Sequence, residues 1–123
     1  MAAPKPKTRT SRQAATPIPD RLRSIRTSLG LSQAQLGTAL GLDESVAGIR
    51  INQYEQGVHT PLYSLIQRLA DFAAIPEAFF YASDDQLAEL IRAYGRLDSS
   101  GRKAACVAVL QLIPASSSEV DRG

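Results

Sequence analysis

Between Asp43 and Thr60 the chain gathers side chains suited to reading the hydrogen-bonding edges of another molecule: Ser45, Arg50, Asn52, Gln53 and Gln56, with Ile49 among them. Wound as a helix at about 100° per residue, Ser45, Ile49, Asn52, Gln53 and Gln56 share one side with Arg50 at its flank. Ala47, Ile51, Tyr54 and Val58 fall together on the other, which is the packing face. Amides and guanidinium groups pair with base edges in a DNA groove, and an Ile side chain can touch a thymine methyl. Ile49, Arg50, Asn52 and Gln53 are therefore the candidates for base contact. On an isolated helix the same amides read equally well as exposed polar surface, so their meaning depends on the elements that hold them.

Other chemistry finds little support. His59 is the single histidine, and no nucleophile and orienting acid accompany it; it reads as an exposed loop residue near phosphate. The Asp84–Asp85 pair stands where a helix starts and reads as a cap. Cys106, the one cysteine, cannot form an internal disulfide, and amid Ala and Val it reads as a small buried apolar residue. There is no glycine-rich phosphate loop and no metal-ligand spacing. Neither an enzyme nor a cofactor is expected.

The elements around the polar stretch are short and clearly punctuated. Asp20 is expected to cap a first helix, with Leu22, Ile25 and Leu29 on one face and Gly30 as its stop. Ser32 caps a second, with Leu36 and Leu40 inward and Gly41 ending it. Asp43 can cap a third that runs to Gly57. Thr60 and Pro61 open a fourth, where Leu62, Leu65, Ile66, Leu69 and Phe72 follow the spacing of a buried helical stripe. Pro76 begins a short fifth through Phe79 and Phe80. Beyond it Asp84 caps a helix with Leu87, Leu90, Ile91 and Tyr94 on one face. After a turn at Asp98 to Gly101, a last helix runs from about Arg102 to Ile113, stopped by Pro114. No stretch sustains the period-two alternation of a strand, so the expectation is all-α.

At 123 residues and 44% apolar the chain has room for one compact domain and a helix or two besides. It carries no apolar run long enough for a bilayer and no apolar N-terminal signal, so a cytoplasmic protein is expected. Charge is uneven: residues 1–68 hold nine Lys/Arg against four Asp/Glu, a balance of +5, and residues 69–123 hold five against eight, a balance of −3. The basic half fits a polyanion. Residues 1–17 hold four Lys/Arg, three prolines and no acid, the composition of a disordered basic arm that contacts phosphate. Residues 116–123 read as a polar tail.

Gly30, Leu31, Ser32 and Gln33 lead into Leu36 to Leu42; Ile51, Asn52, Gln53, Tyr54, Glu55, Gln56 and Gly57 follow, then Pro61 and Leu65 to Ala70. Over roughly residues 20–81 this sequence resembles the Cro/repressor (XRE-like) helix-turn-helix family. The resemblance implies a five-helix lambda-repressor-like DNA-binding domain over 18–82, with the helix pair of 83–115 appended. It also implies roles: Gln53 reads a base, Gln56 and the segment Gly57 to Thr60 contact phosphate, and Arg26 pairs with Glu55 to join the first helix to the third. Ser32 leaves the start of the second helix partially positive, where a phosphate sits beside Gln33; Ser32, Gln33, Gln56, His59 and Thr60 are the phosphate candidates. The segment Asp43 to Arg50 departs from the family pattern by about one helical turn of extra residues. That excess either lengthens the third helix or makes a longer turn before it: Asp43 as a good cap and Ala47 as a poor one favour the helix, while the awkward geometry of a three-residue turn feeding a longer helix favours the turn.

The last helix is apolar around more of its circumference than one neighbour can hide, so Val107, Leu110, Leu112 and Ile113 are assigned to dimerisation. The expected function is a sequence-specific, double-stranded DNA-binding regulator, a repressor that acts on a near-palindromic operator as a homodimer without a membrane. The alternative is the antitoxin of a toxin–antitoxin pair, whose acidic half binds a partner protein.

Overall fold

The structure is a computed structural model that describes residues 16–115. The expected polar tail and all but the last two residues of the expected basic arm lie outside the described residues. Six α-helices and one 3₁₀ helix follow in order: α1 Ile18–Ser28, α2 Gln33–Ala39, α3 Ala47–Glu55, α4 Tyr63–Ala73, the 3₁₀ helix Glu77–Tyr81, α5 Asp85–Gly95 and α6 Ser99–Gln111. No strand occurs among the described residues, and the fold is all-α.

Helix α1 starts earlier than Asp20. Pro17 occupies the cap position and Asp20 lies in the first turn. Proline suits a helix start because its missing N–H would have no partner there, and burial of Ile18 draws the start upstream. Ser32 caps α2 as expected and does so reciprocally: its hydroxyl accepts from the Gln35 backbone N–H, and the Gln35 side chain accepts from the Ser32 backbone N–H. Helices α2 and α3 both end on a glycine in the left-handed region, Gly41 and Gly57. At each, the residue after the glycine turns back and its N–H donates to a carbonyl of the last turn, Leu42 to Gly37 and Val58 to Gln53.

Asp43 does not cap a longer third helix. Its carboxylate accepts from the Ser45 backbone N–H and hydroxyl, and its own carbonyl accepts from Val46. A short polar side chain that bonds two residues ahead stabilises a turn, so the extra residues form a turn and α3 is nine residues long, from Ala47. The start of α3 is fixed by contact: a Cβ on Gly37 would lie 2.7 Å from both the Ala47 Cβ and its carbonyl oxygen. Only glycine lets α2 and α3 cross this closely.

The core gathers Leu22, Ile25, Leu36, Ile51, Ile66 and Phe80 from five elements, each almost fully buried. In α4, Leu65, Ile66 and Leu69 are inward as expected, but Leu62 and Phe72 are exposed. Leu62 has extended backbone before the helix begins, so helical phase does not apply to it, and Phe72 sits at the flank of the buried stripe. Val58 is likewise exposed, because it follows the end of α3.

Asp84 caps α5, accepting from the Gln86 and Leu87 N–H groups. The face that meets the domain is Ala88, which is buried, and Ile91, which packs against the core. Leu87, Leu90 and Tyr94 point outward instead. Helix α6 begins at Ser99, before Arg102, because the Asp98 carboxylate accepts from the Gly101 N–H. None of its residues is buried, and Cys106, expected inside, is exposed.

Candidate nucleic-acid interface

Helix α3 is held from one side. Ala47 and Ile51 are fully buried and Tyr54 packs against the core, while Ile49, Arg50 and Asn52 are exposed and Gln53 is half-buried. Gln56, His59 and Thr60 are exposed in the segment after it, and Ser32 is exposed at the head of α2. The candidates for base and phosphate contact thus occupy α3, the segment following it and the start of α2.

Beneath this surface is a polar hub. Glu55 is the one charged residue buried in the described chain. Arg26 straddles its carboxylate, with Nε donating to Oε2 at 2.6 Å and Nη2 to Oε1 at 3.0 Å. Arg26 Nη1 also donates to the Leu31 carbonyl. Arg23, absent from the expected site, approaches Oε1 at 3.6 Å and donates to the Glu55 backbone carbonyl. Burial pushes the Glu55 carboxyl up, but the hydrogen bonds from Arg26 and Gln33 and the charges of Arg26 and Arg23 together pull it below its ordinary value.

Gln33 ties this hub to the outer surface. Its Nε2 donates to Asn52 Oδ1 and to Glu55 Oε1, both at 3.0 Å. Both donors of the Gln33 amide are therefore used within the protein, which differs from an amide held free for phosphate. The first of these bonds orients Asn52, which is itself exposed. Arg68, also missed in the sequence, donates to the Leu40 carbonyl at the end of α2.

Charge in this region is not in surplus. Residues 18–82 hold five arginines and six acids. Four of the five, Arg21, Arg23, Arg26 and Arg68, bond to carbonyls or to Glu55. Arg50 alone has no side-chain bond or ion pair among the described residues. No group of side chains among them could hold a metal ion, and no helix there is long and apolar enough to cross a membrane.

Two short helices crossing at a glycine, the second presenting amides and an arginine outward, define a helix-turn-helix. The Helix-turn-helix family model matches residues 22–80. The crystal structure of the transcriptional regulator BswR is similar at 36% identity and a TM-score of 0.70, over 76% of this chain and 93% of that one. Among curated proteins none matches the chain. The chain belongs to the Cro/repressor-type (XRE-like) helix-turn-helix family of transcriptional regulators. It is a non-enzymatic DNA-binding regulator.

Proposed function

We propose that this regulator binds specific double-stranded DNA as a homodimer and represses transcription from a near-palindromic operator, in the cytoplasm. The observation that carries this reading is the two-sided character of α3, which buries Ala47 and Ile51 and exposes Ile49, Arg50 and Asn52 beside half-buried Gln53. In the major groove, Asn52 and Gln53 read adenine edges, Arg50 reads guanine and Ile49 meets a thymine methyl. Ser32, Gln56, His59 and Thr60 contact phosphate around it. Gln33 joins them by exchanging one internal hydrogen bond for a phosphate oxygen. Because residues 18–82 carry no net positive charge, the basic arm of residues 1–17 supplies much of the attraction to DNA.

The dimer reading rests on residues 83–115. Leu90, Ala93, Tyr94, Leu97, Val109 and Leu110 line an apolar groove of about 380 Å³ between α5 and α6. Val107, Leu110, Leu112 and Ile113 are all about half exposed or more. Water on so much contiguous apolar surface is unfavourable, and a second copy of the same pair covers it. A symmetric pair presents two α3 helices to two half-sites.

The test is enrichment of duplexes from a random-sequence pool, followed by titration at two salt concentrations. The expected result is an enriched inverted repeat whose affinity falls by orders of magnitude between ~50 and ~200 mM salt. Failure to enrich any sequence, or a flat salt response, overturns the reading.

A further inference from the structure

The helix pair is not tethered loosely to the DNA-reading domain. Arg21, on α1, has a side chain only 12% exposed. Its Nε and Nη2 donate to the Ala82 carbonyl at 3.1 and 2.8 Å, and Nη2 reaches the Ser83 carbonyl at 3.5 Å. The same Nη2 lies 3.0 Å from the Asp85 carboxylate, and the guanidinium carbon stands 5.6 Å from the centre of the Phe79 ring. One guanidinium thus clasps the connection between the 3₁₀ helix and α5. Ala82 is itself buried, and Asp84 is committed to capping α5. Two of the three residues of this link are thus held in place, and Ser83 stands between them with its carbonyl facing Arg21.

The far end of α5 is seated separately. A Cβ on Gly95 would fall 2.5 Å from Pro76 Cδ and 2.7 Å from Pro76 Cγ, so α5 lies directly against the domain there. Between the two ends Ala88 is buried and Ile91 packs on the core. Arg102 of α6 donates to the Tyr94 and Gly95 carbonyls and stacks over the Tyr94 ring, which fixes the next helix to the end of α5.

We propose that α5 is a rigid strut that sets the distance and rotation between the two recognition helices of the dimer, with Arg21 and Gly95 as its positioning residues. The operator is therefore read for half-site spacing as well as for base sequence. This rests on the dimer reading above. Each base pair added between half-sites moves the second by about 3.4 Å and turns it by about 34°, from the pitch of the duplex. A jointed connection absorbs such a change, whereas a strut held at both ends does not.

The full chain, Arg21→Met and Gly95→Ala are each used to enrich duplexes from a random-sequence pool, and each is sedimented. Arg21→Met keeps an apolar stem over Phe79 and loses every polar contact; Gly95→Ala displaces the opposite end. The unaltered chain is expected to enrich inverted half-sites at one spacing, about ten-fold over neighbouring spacings, which corresponds to ~1.4 kcal/mol. The variants are expected to remain dimeric, select the same half-site and spread over several spacings. A dimeric unaltered chain that accepts several spacings overturns the strut while leaving the dimer intact. Folded, dimeric variants that keep the single spacing overturn the roles of Arg21 and Gly95. A monomeric unaltered chain that selects single half-sites overturns the dimer reading and the strut together.

Discussion

The guanidinium of Arg26 and the carboxylate of Glu55 meet in a two-bond fork that joins α1 to the last residue of α3, with Glu55 almost wholly buried and Arg26 only 16% exposed. Removing one member of such a pair leaves the other short of its partner. Losing a buried partner costs about 3–5 kcal/mol. Arg26 keeps the Leu31 carbonyl and some solvent, so Glu55→Gln is expected nearer ~1–3 kcal/mol. Thermal unfolding at neutral pH measures the loss, and an unchanged melting temperature refutes it.

Acid should erase that difference. The folded-state value of Glu55 lies below its ordinary one, so the group's contribution is complete above the ordinary carboxylate value. It is lost as pH falls through the depressed value, where the folded chain must also take up the proton. The gap in melting temperature between the unaltered chain and Glu55→Gln should therefore narrow from neutral pH toward the acid limb. A gap that widens on acidification contradicts the assignment.

Gly37→Ala makes an opposite use of helix preference. Alanine favours a helix interior over glycine by about 1 kcal/mol, yet here its Cβ would meet the Ala47 side chain and carbonyl at 2.7 Å. Overpacking of this kind costs about 1–3 kcal/mol or more, and backbone is one of the obstacles, so the clash wins. Chemical denaturation should show Gly37→Ala destabilised. A stabilised variant means α2 and α3 part without cost.

These relationships differ in how visible they are from sequence. Ser32, Gly41, Gly57 and the Leu65, Ile66 and Leu69 stripe announce themselves locally, because caps, stops and periodicity involve residues a few positions apart. Ser32 and Gln35 also stand at capping-box spacing, a local signal for the reciprocal cap. The pairing of Arg26 with Glu55 spans 29 positions and is legible only through the family resemblance. Arg21 bonds to Ala82 across 61 positions and Gly95 abuts Pro76; neither contact leaves a pattern in composition or period. The turn at Asp43 is ambiguous in the sequence because one residue type serves both as helix cap and as turn former. Cys106 differs for another reason: apolar neighbours in sequence imply burial only if enough surface lies against them, and among the described residues α5 covers α6 too little to bury any of it.

Reading and anchoring should separate experimentally. Gln53→Ala removes the proposed bidentate partner of a base and should reduce discrimination between the enriched duplex and random DNA by about 1–3 kcal/mol. Deleting residues 1–17 removes four positive charges. That should weaken binding to all sequences and flatten the salt dependence by up to about four units of log–log slope. Titrations of both variants on both duplexes at several salt concentrations distinguish the two effects. Identical profiles would mean that the division between α3 and the arm is wrong.

The proposed dimer interface can be challenged without touching the core. Leu112 is 80% exposed and Val107 53%, and neither belongs to the core, so an aspartate at either position has little packing among the described residues to disrupt. That separates the present case from an α6 folded back over its own domain, where the same changes would unfold the protein. In a dimer closed through α5 and α6, each aspartate instead carries a charge into a buried apolar interface, a costly transfer without a partner. Leu112→Asp and Val107→Asp are therefore expected to keep the helical circular dichroism of the unaltered chain and to sediment as monomers. They should also bind the enriched inverted repeat more weakly, because each half-site is now bound independently and the gain from linking two contacts is lost. Cys106 supplies an independent readout. It is exposed in the single chain and lines the groove beside Val109 and Leu110, so a maleimide should react slowly with it in the dimer and rapidly in either variant. Folded variants that stay dimeric, label no faster and bind as tightly as before would place the self-association surface somewhere other than α6.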